Sequence, residues 1–175
     1  MHYRITGLTL VAIGSVGLPT AAGAQTLDLN VTIPQLKVAE YHRPYVAIWL
    51  EKEGATPRTL QVWYDFDGRS AEGSGTKWLR DMRQWWRTVG RGMTFPADGV
   101  TGATKPAGSH KITLVGGKGA MPNLTPGKYK LMVEAAREVG GREVVAVEFD
   151  WNGRTATASG KGTSELGAVT VSLKR

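Results

Sequence analysis

Tyr45-Val46-Ala47-Ile48-Trp49-Leu50 is the stretch that decides the fold class. It is almost continuously apolar, follows Pro44 and stops at the charged Glu51-Lys52-Glu53-Gly54. A run this short, rich in β-branched and aromatic side chains, suits a strand buried on both faces. Leu60 to Tyr64 reads as its antiparallel partner, reached through a turn at residues 54–57. Toward the N-terminus, Leu27, Leu29, Val31 and Ile33 alternate with Asp28, Asn30 and Thr32. That is a strand with one buried face, and Pro34 ends it.

Strand patterning returns after Ser109. The stretches 111–115, 128–137, 143–151 and 168–173 carry alternation or β-branched runs. Turn chemistry separates them at Gly116-Gly117, Pro126-Gly127, Gly140-Gly141 and Asn152-Gly153. About seven short strands at this spacing predict a mainly β protein, an immunoglobulin-like or transthyretin-like antiparallel β-sandwich. The turn Leu124-Thr125-Pro126-Gly127-Lys128-Tyr129 suits the approach to a sandwich strand.

One segment has another period. Trp78, Met82, Trp85, Trp86 and Val89 recur at helical spacing, which predicts a helix over 77–89 between the third and fourth strands. Thr76 or Ser74 is placed to cap it, and Gly90 and Gly92 to end it. Trp78 and Met82 are expected to face the sheet. Arg80, Arg83, Arg87 and Arg91 lie off the apolar stripe.

The N-terminus reads as an export signal. His2 and Arg4 precede an interrupted apolar run ending near Leu18, and Ala22-Gly23-Ala24 supplies small residues for cleavage. The expected organisation is a signal peptide over 1–24 and a single β-sandwich domain over 25–175, located in the periplasm. The run is too short and broken to span a bilayer comfortably. The chain has no cysteine, which excludes disulfides, thiolate metal sites and c-type haem attachment. Its formal charge of +7, of which Arg4 contributes one, favours anionic partners, and export argues against nucleic acid.

Asp98-Gly99-Val100-Thr101-Gly102-Ala103-Thr104 is the informative loop. It resembles the D-x-x-[ST]-G-A-[ST] pattern at which bacterial flavin transferases attach FMN in FMN-binding domains. The resemblance implies Thr104 as the phosphoester site, with Asp98, Thr101, Gly102 and Ala103 as recognition residues. A threonine hydroxyl reacts only when an enzyme brings a base and a metal to it, so the acceptor belongs on a thin, accessible loop. Gly102 and Ala103 remove bulk beside it, and Pro96 and Pro106 are expected to keep the loop out of regular sheet.

Further segments, Tyr41-His42-Arg43-Pro44, Lys77-Trp78-Leu79-Arg80-Asp81 and Val133-Glu134-Ala135-Ala136-Arg137, resemble a bacterial family of predicted periplasmic proteins titled as a domain of unknown function. That resemblance implies a neighbourhood of flavin transferases and PepSY-type membrane proteins, and extracytoplasmic electron transfer. Trp78, Trp85 and Trp86 then become candidates to stack on an isoalloxazine ring. Lys105 and His110, with Arg91 and Lys111, become candidates for the phosphate.

Other chemistry is weaker. His42 and His110 are far apart in sequence, which argues against a metal pair. The chain carries no serine nucleophile elbow and no H-E-x-x-H, and Gly116-Gly117-Lys118-Gly119 reads as a hairpin turn. The expectation is an electron carrier or redox subunit with FMN on Thr104. The alternative is a cofactor-free accessory or binding module of a cell-envelope complex.

Overall fold

The structure is a computed structural model and describes residues 23–66 and 75–175. Most of the expected signal peptide and the loop residues 67–74, Ser74 included, lie outside the described residues. Nine strands follow in chain order: β1 (Thr26–Ile33), β2 (Tyr45–Glu51), β3 (Arg58–Trp63), β4 (Thr101–Gly102), β5 (Gly108–Val115), β6 (Gly127–Ala136), β7 (Arg142–Trp151), β8 (Thr155–Lys161) and β9 (Ala168–Lys174). One sheet has the order β5-β1-β9-β8 and the other β4-β3-β2-β6-β7. All pairings are antiparallel except β3 with β4. The expected β-sandwich is what the chain forms.

Alternation explains the core. Leu27, Leu29, Val31 and Ile33 of β1 meet Val46, Ile48 and Leu50 of β2 and Leu131 and Val133 of β6 between the sheets. The intervening residues of β2, Ala47 and Trp49, point to the other face and join Trp85, Met82 and Leu79 in a second cluster. The five-stranded sheet is therefore covered on both faces, which is why β2 reads as an unbroken apolar run. Tyr129 Oη donates to the Thr125 carbonyl at 2.7 Å, a tyrosine corner that fixes the entry to β6.

The covering segment departs from the expected single helix. A 3-10 turn spans Gly75–Asp81, the α-helix α1 spans Arg83–Thr88, and a second 3-10 turn spans Gly90–Gly92. With three residues per turn before α1, Leu79, Met82 and Trp85 line up on the buried side. Trp78, expected to face the sheet, is rotated outward and is 36 % exposed.

A long-range cap sets the break. The fully buried Glu134 carboxylate on β6 accepts the backbone N–H of Gln84 at 3.1 Å and of Trp85 at 2.7 Å. Arg142 Nη1 donates to the same carboxylate at 2.7 Å. Orphan amides of the first turn thus find an acceptor across the sheet, on β6. At the far end, a Cβ on Gly90 would stand 2.8 Å from the Trp85 ring, so only glycine lets the chain pass there.

Two strands escaped the sequence pattern. β8 reads Thr155-Ala156-Thr157-Ala158-Ser159-Gly160-Lys161, with only Ala156 and Ala158 contributing apolar side chains to the core. β4 is two residues long and pairs with a partner nearly forty positions earlier, as Val62 opposite Thr101 and Trp63 opposite Gly102.

Candidate functional site

The segment from Asp98 to Thr104 sits at the edge of the five-stranded sheet. Its approach is a tight turn at Ala97, whose carbonyl accepts Val100 N–H at 3.2 Å and Thr101 N–H at 2.9 Å. Ala97 N–H donates in turn to Thr101 Oγ1 at 2.9 Å. The chain then joins β3: Val62 N–H donates to the Val100 carbonyl at 2.9 Å and Tyr64 N–H to the Gly102 carbonyl at 3.0 Å. Gln61 Nε2 adds a bond to the Gly99 carbonyl at 3.2 Å. Gly99 needs its φ of +69°, which a side chain at that position resists.

This corrects one expectation. Pro96 and Pro106 bracket the loop, yet its centre is not outside the sheet, because Thr101 and Gly102 are the edge strand β4. Neither proline lies within the paired residues, so neither removes an amide that the pairing uses. Gly102 packs closely: a Cβ there would stand 3.1 Å from Trp63 Cδ1, so the indole would have to give by a few tenths of an ångström.

The polar residues of the motif separate into two kinds. The Thr101 hydroxyl is committed to the Ala97 turn. Asp98 is exposed and its carboxylate makes no hydrogen bond among the described residues, so it does not cap the turn it sits in. Ala103 is exposed and Thr104 half-buried, and the Thr104 hydroxyl makes no hydrogen bond among the described residues. Thr104 is therefore the free hydroxyl of the pair.

Beyond Thr104 the chain crosses from this sheet to the other. Lys105 Nζ lies 5.7 Å from the centroid of the Trp63 ring, and His110 meets the same ring edge-on at 5.8 Å. His110 Nε2 is 2.8 Å from the Pro106 carbonyl, which can only accept, so Nε2 carries the proton. Lys105 and His110 are thus gathered beside Thr104 around an indole that sequence reasoning missed. Its one sequence signal is a tryptophan at the end of the strand that precedes the motif.

Other expected participants lie elsewhere. Lys111 projects from the opposite face of β5 and stands 3.7 Å from Asp28. Trp85 is fully buried and donates its indole N–H to Thr59 Oγ1 at 3.0 Å, which leaves no open face for a ring. Trp86 is half-buried against Trp85, with centroids 6.1 Å apart. Trp78 lines a cavity of about 650 Å³ with Arg43, Arg83 and Arg142, and Thr104 is not part of its wall.

Tyr64, which follows β3 directly, is buried, and its Oη makes no hydrogen bond among the described residues. Burial pushes this phenol above its ordinary range, so it stays protonated at neutral pH. Among the described residues no group of three or more histidine, aspartate or glutamate side chains is placed to hold a metal ion. None of their helices is long and apolar enough to cross a membrane.

Residues 26–168 match the model of a family described as a predicted periplasmic protein, DUF2271, a domain of unknown function. The chain belongs to this family. No curated protein and no solved structure matches it. The DUF2271 match covers both sheets up to the start of β9, so the motif edge and the capped helix lie inside the family's span.

Proposed function

We propose that this DUF2271 protein carries FMN covalently on Thr104 and serves electron transfer outside the cytoplasm. The observation that supports the reading is the division of labour between two hydroxyls three positions apart in one motif: Thr101 holds the Ala97 turn, and Thr104 is uncommitted just past the end of β4. The residues present fit such a group. The Thr104 hydroxyl and the cation of Lys105 are neighbours beside Trp63, with Gly102 packed on the same ring, while Asp98 lies by Arg58 at the start of β3.

Attachment would join Thr104 Oγ1 to the FMN phosphorus while the pyrophosphate bond of FAD breaks. AMP leaves, and the threonine proton passes to a base of the flavin transferase. When bound, the flavin supplies one- or two-electron redox chemistry that no side chain here provides. The chain's own residues anchor and present it. Lys105 is positioned to neutralise a phosphate oxygen, and His110 to fix the Pro106 end of the loop. The redox partner expected is membrane-bound, of PepSY type or similar.

Co-expression with an active flavin transferase, followed by peptide mass mapping, tests this. The peptide containing Thr104 gains one FMN, and Thr104→Ala loses the flavin while the protein stays folded. An unmodified Thr104 peptide in the presence of transferase and FAD, or flavin retained in Thr104→Ala, overturns the reading in favour of a cofactor-free accessory module.

A further inference from the structure

The edges of the two sheets are closed to very different degrees. β3 is guarded by β4, whose end of the chain accepts Val62 N–H and Tyr64 N–H. β7 and β8 press on each other where the two sheets meet: a Cβ on Gly160 would stand 3.0 Å from Val145 and 3.4 Å from the Ala146 carbonyl oxygen. β5 is different. It pairs with β1 along its whole length and, among the described residues, with no strand on its other side.

The register shows which backbone groups are left over. Gly116 N–H donates to the Gln25 carbonyl at 2.8 Å, one step beyond the pairing of Thr26 with Val115. Bonded pairs alternate along an antiparallel ladder, so Gly108, His110, Ile112 and Leu114 turn their amides and carbonyls to β1. Ser109, Lys111, Thr113 and Val115 turn theirs outward. Of these outward groups only the Val115 carbonyl has a backbone partner among the described residues, accepting Lys118 N–H at 3.0 Å.

An exposed row of this kind is a template for another strand, and proteins commonly blunt it with proline, a bulge or projecting lysines. β5 carries no proline, its register against β1 is unbroken, and its one lysine, Lys111, is drawn back to Asp28 at 3.7 Å. Its inward side chains are unfinished core: Ile112 and Leu114 pack on the buried cluster yet stay partly exposed.

The occupant that fits this edge is β5 itself. In an antiparallel pair about a two-fold axis inward residues meet inward residues, so the axis passes through one residue. Through Lys111 it sets two lysines side by side. Through His110 or Thr113 it runs the pair into Pro106 or into the Gly116-Gly117 turn. Through Ile112 it spans the strand from end to end. Ser109 then meets Val115 of the second copy, and Lys111 meets its Thr113, whose hydroxyl donates to Asp28 at 2.6 Å. Each lysine thereby approaches the other chain's carboxylate, and Ile112 covers Ile112. We infer that β5 docks a second copy of this chain in that register, joining two four-stranded sheets into one. A single strand pair is a small interface, at or below about 1,200 Å² in total, which makes the dimer reversible.

Sedimentation velocity on the exported, unflavinylated protein, from roughly 1 µM to 500 µM, tests this, and a monomer–dimer equilibrium with a micromolar Kd is expected. Thr113→Pro removes an amide proton that β1 does not use, and should raise that Kd more than about tenfold while the monomer stays folded. The chain has no cysteine, so single cysteines report the register. Facing Ile112 residues form a non-bonded pair about 4.5 Å apart at Cα, close enough for a disulfide, whereas the two Leu114 residues lie out of reach. Ile112→Cys should therefore give a covalent dimer under mild oxidation, and Leu114→Cys should not. A monomer across the whole concentration range, an unchanged Kd in Thr113→Pro, or cross-linking of Leu114→Cys as readily as Ile112→Cys overturns the inference. Because flavin is absent throughout, its failure leaves the Thr104 reading untouched.

Discussion

The two sheets are made of similar strands yet are held very differently. The four-stranded sheet buries one face and leaves Asp28, Lys111 and Thr113 of the other in water, joined by exposed polar contacts. The five-stranded sheet is covered on both faces, and a fully buried carboxylate at Glu134 ties the covering segment to it. Layers packed on two sides leave a strand no freedom to shift register. The candidate chemistry lies at the edge of that over-constrained sheet, where a thin segment can be offered to another enzyme while the support stays rigid.

Removing the buried tie should break the contrast most. Glu134→Ala leaves two amides and Arg142 without their acceptor, and stability should fall by about 3–5 kcal/mol. Urea unfolding measures the loss, and the near-ultraviolet signal of Trp85 should collapse with it.

Glu143 joins the two sheets and gives the next effect. It lies on β7 and accepts Thr163 N–H at 2.6 Å, Ser164 N–H at 3.0 Å and Leu166 N–H at 2.8 Å from the β8–β9 connection. Burial pushes its carboxyl up, but these donors outweigh burial and hold it at about 2, below the ordinary 4.5. A carboxylate with a lowered value stabilises fully above about pH 5, and the contribution fades as pH falls from 4.5 through 2. Glu143→Gln should therefore cost about 2 kcal/mol at pH 7 after allowance for screening, with the gap to wild type closing at pH 2. Melting curves across that range measure it, and a gap independent of pH would contradict it.

Thr101→Ala removes the acceptor of Ala97 N–H and should cost about 1 kcal/mol, with slower flavin attachment, since Thr104 is spared. Single-turnover labelling with the transferase separates the two readouts. Smallest of all, Lys111→Ala on the open face should leave the melting temperature unchanged. A clear drop there would show that the outer face of the four-stranded sheet is also tied.

Much of this was legible from residues alone. The unbroken run at β2 announced a two-sided sheet, and the alternation of β1, β7 and β9 fixed which side chains turn inward. β8 was silent because its inward positions are alanine and glycine, which carry no hydrophobic period. The helix was misread because the spacing of Trp78 and Met82 fits 3.6 residues per turn, whereas a glutamate on β6, fifty residues on in the chain, sets where the α-helix starts. The motif's residues stood out in the sequence, but nothing local revealed that two of them pair with β3 or that Trp63 gathers Lys105 and His110.

The two-residue length of β4 has a consequence for the folded chain in a crowded envelope. Without it, the outer backbone of β3 would be a bare row of donors and acceptors, the template on which strands of neighbouring molecules assemble. The segment that carries Thr101 and Gly102 is thus the guard of that edge. Anything that pulled it away would uncover a sticky border for as long as it held on. The bonds that Val62 and Tyr64 make to the Val100 and Gly102 carbonyls are what close that border.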